Sequence, residues 1–262
     1  MLNIKNILIN DTSVSEVLSY IRQAGYDNYG YVANSHLDRL LFITSFIVNN
    51  FSSSSKILEI GSFPYFIPGY LSLRGFENIN TIDINRPDDF PFAPRWKIHS
   101  LKFDIEEKLF PFEDETFDLV LLLEVFEHLY RRPNQVFHEI ERTLKPGGTL
   151  IISTPNGGIL RKFLRFLLTG KFDKSMYDFS MTYENVGHFD HIREYSVREI
   201  KSYLKHFAFS INIILKTFYP TEISNDNKIY RTESRRTFKG ILKKLFGEIY
   251  GDCIFIIARK LK

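Results

Sequence analysis

The stretch Lys56-Ile57-Leu58-Glu59-Ile60-Gly61 decides how this chain is read. It is a short apolar run, preceded by Ser52-Ser53-Ser54-Ser55 and closed by a glycine. Runs of this length between turn residues suit buried parallel strands, whose two faces are both covered. Similar runs follow at 80–84, 117–123 and 149–153, the last after Pro146-Gly147-Gly148, which reads as a sharp turn. Helical periodicity fills the intervals. Leu37, Leu40, Leu41, Thr44, Phe46, Ile47 and Val48 recur at helical spacing before the serines, and Val136, Phe137, Ile140 and Leu144 share a face of a helix over 134–144. Strand and helix alternating in this way predicts an α/β fold with a parallel sheet covered on both faces. The stretches 209–218 and 253–258 read as late strands joined by a long connection, which suits an antiparallel finish.

Composition narrows the class. Of 262 residues, 44% are hydrophobic and 25% charged, a globular balance with ample material for a core. Thirty-four basic against 31 acidic residues give a net charge of +3, too even for a protein held to nucleic acid by phosphate neutralisation. No nucleic-acid partner is expected. The single cysteine, Cys253, excludes an internal disulfide and a cysteine-rich zinc site, and no metal is expected. No apolar run approaches the roughly 20 residues that cross a bilayer. The first residues lack the charged start, apolar stretch and cleavage site of a secretory signal, so the expectation is a soluble cytoplasmic protein.

In open parallel sheets, ligands bind at the carboxyl ends of the strands. Those ends carry Glu59-Ile60-Gly61, then Asp83, then Asp104 in Phe103-Asp104-Ile105, then Glu124-Val125-Phe126-Glu127-His128, then Ser153-Thr154-Pro155-Asn156. Carboxylates at successive strand ends suit a polar ligand with hydroxyls, an amine and a positive centre. An ionised carboxylate only accepts, through two oxygens, so Asp83 can receive both hydroxyls of a ribose. Gly61 lets the backbone approach a ligand closely. Asp104 can accept from an exocyclic amine, although Asp104-Ile105-Glu106-Glu107 also reads as an acidic helix start. Glu127 reads as a solvated residue beginning a helix, with His128 a candidate for the substrate side.

In this order and spacing, Ile57-Leu58-Glu59-Ile60-Gly61, Ile82-Asp83-Ile84, Phe103-Asp104-Ile105, Phe117-Asp118-Leu119-Val120, Glu124-Val125-Phe126-Glu127-His128-Leu129 and Leu144-Lys145-Pro146-Gly147-Gly148-Thr149-Leu150 resemble a class I S-adenosylmethionine-dependent methyltransferase. The likeness covers 56–156 well. It continues more weakly through Gly187-His188, His191-Ile192-Arg193-Glu194-Tyr195-Ser196 and the closing run 253–260. The resemblance implies a Rossmann-like, seven-stranded, mostly parallel sheet with helices on both faces and an antiparallel final strand. It implies one methyltransferase domain over 1–262. Within it, 1–55 would be an N-terminal helical cap, 56–156 the cofactor-binding core, 157–206 a lid or substrate-selecting insertion, and 207–262 the closing strands with a basic insertion. S-adenosylmethionine is the implied cofactor. Glu59 and Gly61 would border its methionine moiety and ribose, together with Ser62 and Phe63 of the loop. Asp83, with Ile84 beside it, would hold the ribose hydroxyls. Asp104 and Ile105 would meet adenine, and Glu124 and Val125 would line the floor beside the sulfonium. The family usually has glycines two and four residues after the first; here those positions are Phe63 and Tyr65, around Pro64.

Three histidines are candidates for catalysis: His188, His191 and His128, since an imidazole can take a proton from a hydroxyl nucleophile. The expected function is methyl transfer to a small-molecule or glycan-type acceptor. Two alternatives stay open: a methyltransferase-like binding or scaffold protein without catalysis, motivated by Phe63 and Tyr65, and a membrane-associated enzyme acting on a lipid-linked acceptor. The second rests on the basic, apolar stretches 159–168 and 235–246, which also read as amphipathic helices packed on the core.

Overall fold

The computed structural model describes residues 12–25, 37–88, 90, 95–157, 166–171, 177, 192–216, 221–223, 229–231 and 253–262. Seven strands form a sheet in the order β3 (Ile98–Lys102), β2 (Asn78–Asp83), β1 (Lys56–Ile60), β4 (Phe117–Leu123), β5 (Leu144–Pro155), β9 (Cys253–Lys260), β6 (Phe209–Lys216), and β7 (Thr221–Ile223) pairs antiparallel with β8 (Ile229–Arg231) in a separate ladder. The chain divides into two compact units. The first is Met1–Ile105, Thr116–Leu121 and Phe218–Glu233; the second is Glu106–Glu115, Leu122–Thr217 and Ser234–Lys262.

In the first unit, β1 (Lys56–Ile60) pairs parallel with β2 (Asn78–Asp83), Glu59 opposite Thr81. β2 pairs parallel with β3 (Ile98–Lys102). β3 is a sheet edge without fully buried residues, which is why no apolar run announced it. β1 and β2 are joined by α3 (Phe66–Leu73), against which α1 (Thr12–Gln23) and α2 (Leu37–Asn50) both pack. Pro68 and Gly69 disguise α3 in the sequence. Proline is tolerated in a first helical turn, where its missing N–H has no partner to lose. Gly69 is required by packing: a Cβ there would meet the Trp96 ring at 2.8 Å.

In the second unit, β9 (Cys253–Lys260) runs antiparallel to both its neighbours, β5 (Leu144–Pro155) and β6 (Phe209–Lys216). The final strand is therefore inserted antiparallel, as expected. β5 begins earlier than the sequence suggested. Strand geometry runs from Leu144 through Pro146-Gly147-Gly148, with Gly147 at φ 74°, and the ladder with β9 starts only at Thr149. Proline and a positive-φ glycine are compatible with a strand where no ladder bond is required of them. β4 (Phe117–Leu123) contributes residues to both units. After it comes a single 3₁₀ turn at Phe126–His128, and the helix proper, α4 (Pro133–Thr143), starts with proline and buries Val136, Phe137 and Ile140. Phe137 joins an aromatic cluster with Phe126, Tyr203 and Phe207. Tyr203 lies on α5 (Val197–Leu204), whose start is fixed by a reciprocal Ser196–Glu199 capping box.

Candidate active site

β1 and β2 end side by side, and their parallel register brings Glu59 and Asp83 into one electrostatic neighbourhood. Asp83 is buried, and each of its oxygens receives one backbone N–H: Oδ2 from Phe63 at 2.8 Å, Oδ1 from Asn85 at 2.7 Å. A carboxylate offers about four acceptor positions, so about two stay open. Burial raises the Asp83 pKa, and the two N–H bonds only partly offset that. Glu59 is buried with Oε2 unpartnered; burial, reinforced by the charge of Asp83, pushes its pKa well above the ordinary carboxylate value. Ser62 is likewise buried with an unpartnered Oγ. Ile84 directly follows Asp83 and is 54% exposed, an apolar face at the end of β2. Asp104 and Ile105 lie half-buried in irregular chain after β3, tied to β2 by Phe103 N–H donating to the Asp83 carbonyl at 3.0 Å. The alternative reading of Asp104 as a helix start does not hold: a turn follows it.

The loop between β1 and α3 explains its two bulky residues. Gly61 takes φ 72° and its N–H donates to Ile82 O at 2.9 Å. Tyr65 takes φ 69°, ψ 29°, the left-handed conformation that glycine adopts at least cost. Its side chain is fully buried, with the ring 4.7 Å from that of Phe90 and the hydroxyl 3.2 Å from Ser100 Oγ. Phe63 stands edge-on to both rings while its N–H serves Asp83. The backbone keeps a path that glycine would favour, and the aromatic side chains pack against Phe90.

In the second unit, Glu124 closes β4 at φ 54°, accepting from Ser153 Oγ at 2.9 Å and lying 3.6 Å from Cys253 Sγ. Val125 and His128 are half-buried in the turn that follows. Glu127 corrects the sequence reading. It is fully buried rather than solvated, accepts from Thr154 Oγ1 at 2.9 Å, and its carbonyl takes the N–H groups of Ile192 and Arg193. Phe126 stacks on Tyr195 at 4.3 Å. The burial of Glu127 depends on Thr154, 27 residues away along the chain, which no local pattern around Glu127 announces. His188 and His191 lie outside the described residues, as do Arg161, Lys162, Arg165 and 235–246.

Residues 58–152 match the family described as "Methyltransferase domain". This segment is a class I methyltransferase domain. Over this segment the protein is a methyltransferase. No curated protein matches the chain. Among solved structures, the domain's fold is shared by a Haloferax volcanii chain from a complex of a methyltransferase with the Trm112 methyltransferase activator, at 12% identity and TM-score 0.56, covering 93% of this chain and 98% of that one. It is shared by Burkholderia thailandensis 1,6-didemethyltoxoflavin-N1-methyltransferase, solved with 1,6-didemethyltoxoflavin and S-adenosylhomocysteine, at 13% identity and TM-score 0.53, covering 95% and 91%. A Thermotoga maritima S-adenosylmethionine-dependent methyltransferase is similar at 17% identity and TM-score 0.53, covering 94% and 100%. These likenesses speak to the fold. Among the described residues, no helix is long and apolar enough to cross a membrane.

Proposed function

We propose that the protein uses S-adenosylmethionine as its methyl donor, acts on a small-molecule or glycan-type acceptor, and holds that cofactor's nucleoside on the β1 and β2 ends. The observation that carries the cofactor placement is Asp83: buried, anchored through two backbone N–H groups, and left with acceptor capacity on both oxygens. The residues present fit the group. Asp83 receives the two ribose hydroxyls, Ile84 offers an apolar face to adenine, and Asp104 with Ile105 borders the base. Gly61 and Phe63 present backbone to the ligand where side chains would obstruct it. Glu59, with an unpartnered oxygen, and Ser62, with an unpartnered hydroxyl, complete the polar lining.

When bound, the cofactor supplies a methyl group already activated by a positive sulfur. The protein's work is then alignment of the acceptor atom and exclusion of water. Ribose hydroxyls donated to Asp83 favour its ionised form, against the upward pull of burial. Cofactor affinity accordingly falls as pH drops and Asp83 gains its proton. A hydroxyl acceptor also needs a base, and His128, His188 and His191 are the proposed candidates.

Calorimetry with S-adenosylmethionine and S-adenosylhomocysteine on the purified protein tests the placement. Saturable binding that weakens in Asp83→Asn is expected. Unchanged affinity in a folded Asp83→Asn variant would remove Asp83 from the site. A methyl-release assay across amine, hydroxyl and glycan acceptors then reads the acceptor class.

A further inference from the structure

Paired positions in a ladder put their side chains on one face of the sheet, and so do positions two apart along a strand. Glu59 pairs with Thr81, Thr81 pairs with Ser100, and Asp83 stands two residues beyond Thr81. Glu59 and Asp83 therefore occupy successive rows of one face. Gly61, which follows the last residue of β1, brings no side chain to the second row. Both carboxyls are withdrawn from water, at 5% and 6% exposure. Among the described residues, no basic side chain acts on either. The neighbours in the Glu59 row carry hydroxyls, Thr81 and Ser100, with the Tyr65 hydroxyl 3.2 Å from Ser100 Oγ. Lys102, opposite Asp83 on β3, is exposed and lies 3.7 Å from Asp88. On β4, Asp118 receives the Lys56 N–H at the other end of β1. α3, which packs against β2 and β3, has no charged residue.

Two buried carboxyls in adjacent rows, with no cation between them, keep one proton as a pair. Hydrogen bonding decides which group carries it. Asp83 receives an N–H on each oxygen, which favours its ionised form, whereas Glu59 Oε2 is sealed without a donor. We infer that Glu59 carries the shared proton in the unliganded protein, and that binding of a cationic nucleoside ligand expels it to solvent. The step is a proton transfer alone. The O–H bond of the Glu59 carboxyl breaks, its electron pair stays on the carboxylate, and the proton passes to water and buffer. Positive charge and hydroxyl donors brought by the ligand then stabilise both carboxylates together. In accord with this, burial and the charge of Asp83 hold the Glu59 carboxyl well above its ordinary value. The site thereby favours a cationic ligand over a neutral nucleoside with the same ribose. By linkage, affinity gains about tenfold per pH unit while one proton is released, and levels off once Glu59 is ionised beforehand. The expulsion rests on the nucleoside placement proposed above; the shared proton does not.

The test is calorimetry of the full chain with S-adenosylmethionine in buffers of different ionisation enthalpy, from about pH 5 to pH 8. In the parent, the observed enthalpy should vary with the buffer, with release approaching about one proton per ligand. Glu59→Gln, which keeps the shape without the titrating proton, should remove that release, its fold verified by circular dichroism. Adenosine, which brings the ribose without positive charge, should bind without releasing a proton. A buffer-independent enthalpy in the parent across the whole range overturns the inference. So does an unchanged release in a folded Glu59→Gln variant, or a release with adenosine equal to that with S-adenosylmethionine. Infrared spectroscopy reads the unliganded protein separately. A protonated-carboxyl band present in the parent and missing from Glu59→Gln is expected, and two identical spectra across the same range overturn the shared proton. If S-adenosylmethionine gives no saturable heat, the cofactor placement fails, and the infrared band still decides the shared proton.

Discussion

Glu59 and Asp83 in the first unit and Glu106 and Glu139 in the second are four carboxylates withdrawn from water to the same degree. Their partners differ. Glu106 Oε1 accepts the backbone N–H groups of Tyr130, Arg131 and Arg132 at 3.0, 2.7 and 2.8 Å, gathering the chain just before α4. Glu139 accepts from Arg142 through both oxygens and from Phe110 N–H at 2.7 Å, while Arg142 also reaches Asp114. Both are engaged by their own chain. Asp83 takes only two N–H bonds, and Glu59 leaves Oε2 with none. Burial of an unmatched acceptor is costly, and its persistence at two adjacent strand ends is the reason a ligand that supplies donors is proposed there. The same burial in Glu106 and Glu139 is architecture. Saturation, rather than burial, separates the two kinds of carboxylate.

The largest expected effect breaks the architectural side. Glu106→Ala removes the acceptor for three N–H groups. Hydrogen bonds to a charged group contribute about 1.5–3 kcal/mol each, and water reaching the exposed 130–132 chain recovers part of that. A loss of about 3–4 kcal/mol in denaturant unfolding is expected, with cofactor affinity of the folded fraction unchanged. A parallel drop in affinity would erase the distinction between the two pairs.

Next comes the loop that frames Asp83. Tyr65→Gly relieves a left-handed conformation, worth about 1–2 kcal/mol, but empties a fully buried aromatic site, which costs about 3–5 kcal/mol. The net expectation is about 2–3 kcal/mol of destabilisation in urea melts, with no gain in cofactor affinity. Tighter binding in this variant would show that the tyrosine obstructs the site.

Asp83→Asn sharpens the ligand side. It keeps shape but loses the charge and one acceptor, weakening S-adenosylmethionine by about tenfold to a hundredfold, or about 1.4–2.8 kcal/mol, in calorimetry. The smallest effect concerns Glu59. Its folded pKa lies above the unfolded value, so the native state retains a proton that the unfolded chain has released. Stability therefore declines as pH rises from the unfolded carboxylate range to the folded pKa. Glu59→Gln removes that penalty. Its melting temperature should exceed the parent's at pH 7 by at least about 2 °C, with the difference closing toward pH 4. An equal gain at both pH values would mean that protonation of Glu59 is not the cause.

Much of the fold was legible because its strands are buried on both faces. β1, β4 and the ladder-forming part of β5 are continuous apolar runs, and α4 carries its stripe at helical spacing. β3 was not legible, since an edge strand half open to water needs no apolar pattern. α3 was hidden by Pro68 and Gly69, whose fitness depends on a first-turn position and on the Trp96 ring. Among the proposed site residues, Asp83 stood out from its place after an apolar run. The inward turn of Tyr65 and the burial of Glu127 did not, because a side chain's direction depends on neighbours far away in sequence, such as Phe90 or Thr154.

By itself, the sequence determined the α/β class, the series of strand-end carboxylates and the departure at Phe63 and Tyr65, all of which are local patterns of residue type. Tertiary structure alone decided which carboxylates are saturated and which hold acceptor capacity open. It also decided that a tyrosine can stand in a glycine's backbone conformation with its ring sealed in the core. The physical reason is common to both. Hydrogen-bond saturation and side-chain burial belong to pairs of groups, and Phe63 for Asp83, Tyr130 for Glu106 and Ser100 for Tyr65 are partners that lie 20 or more residues away along the chain.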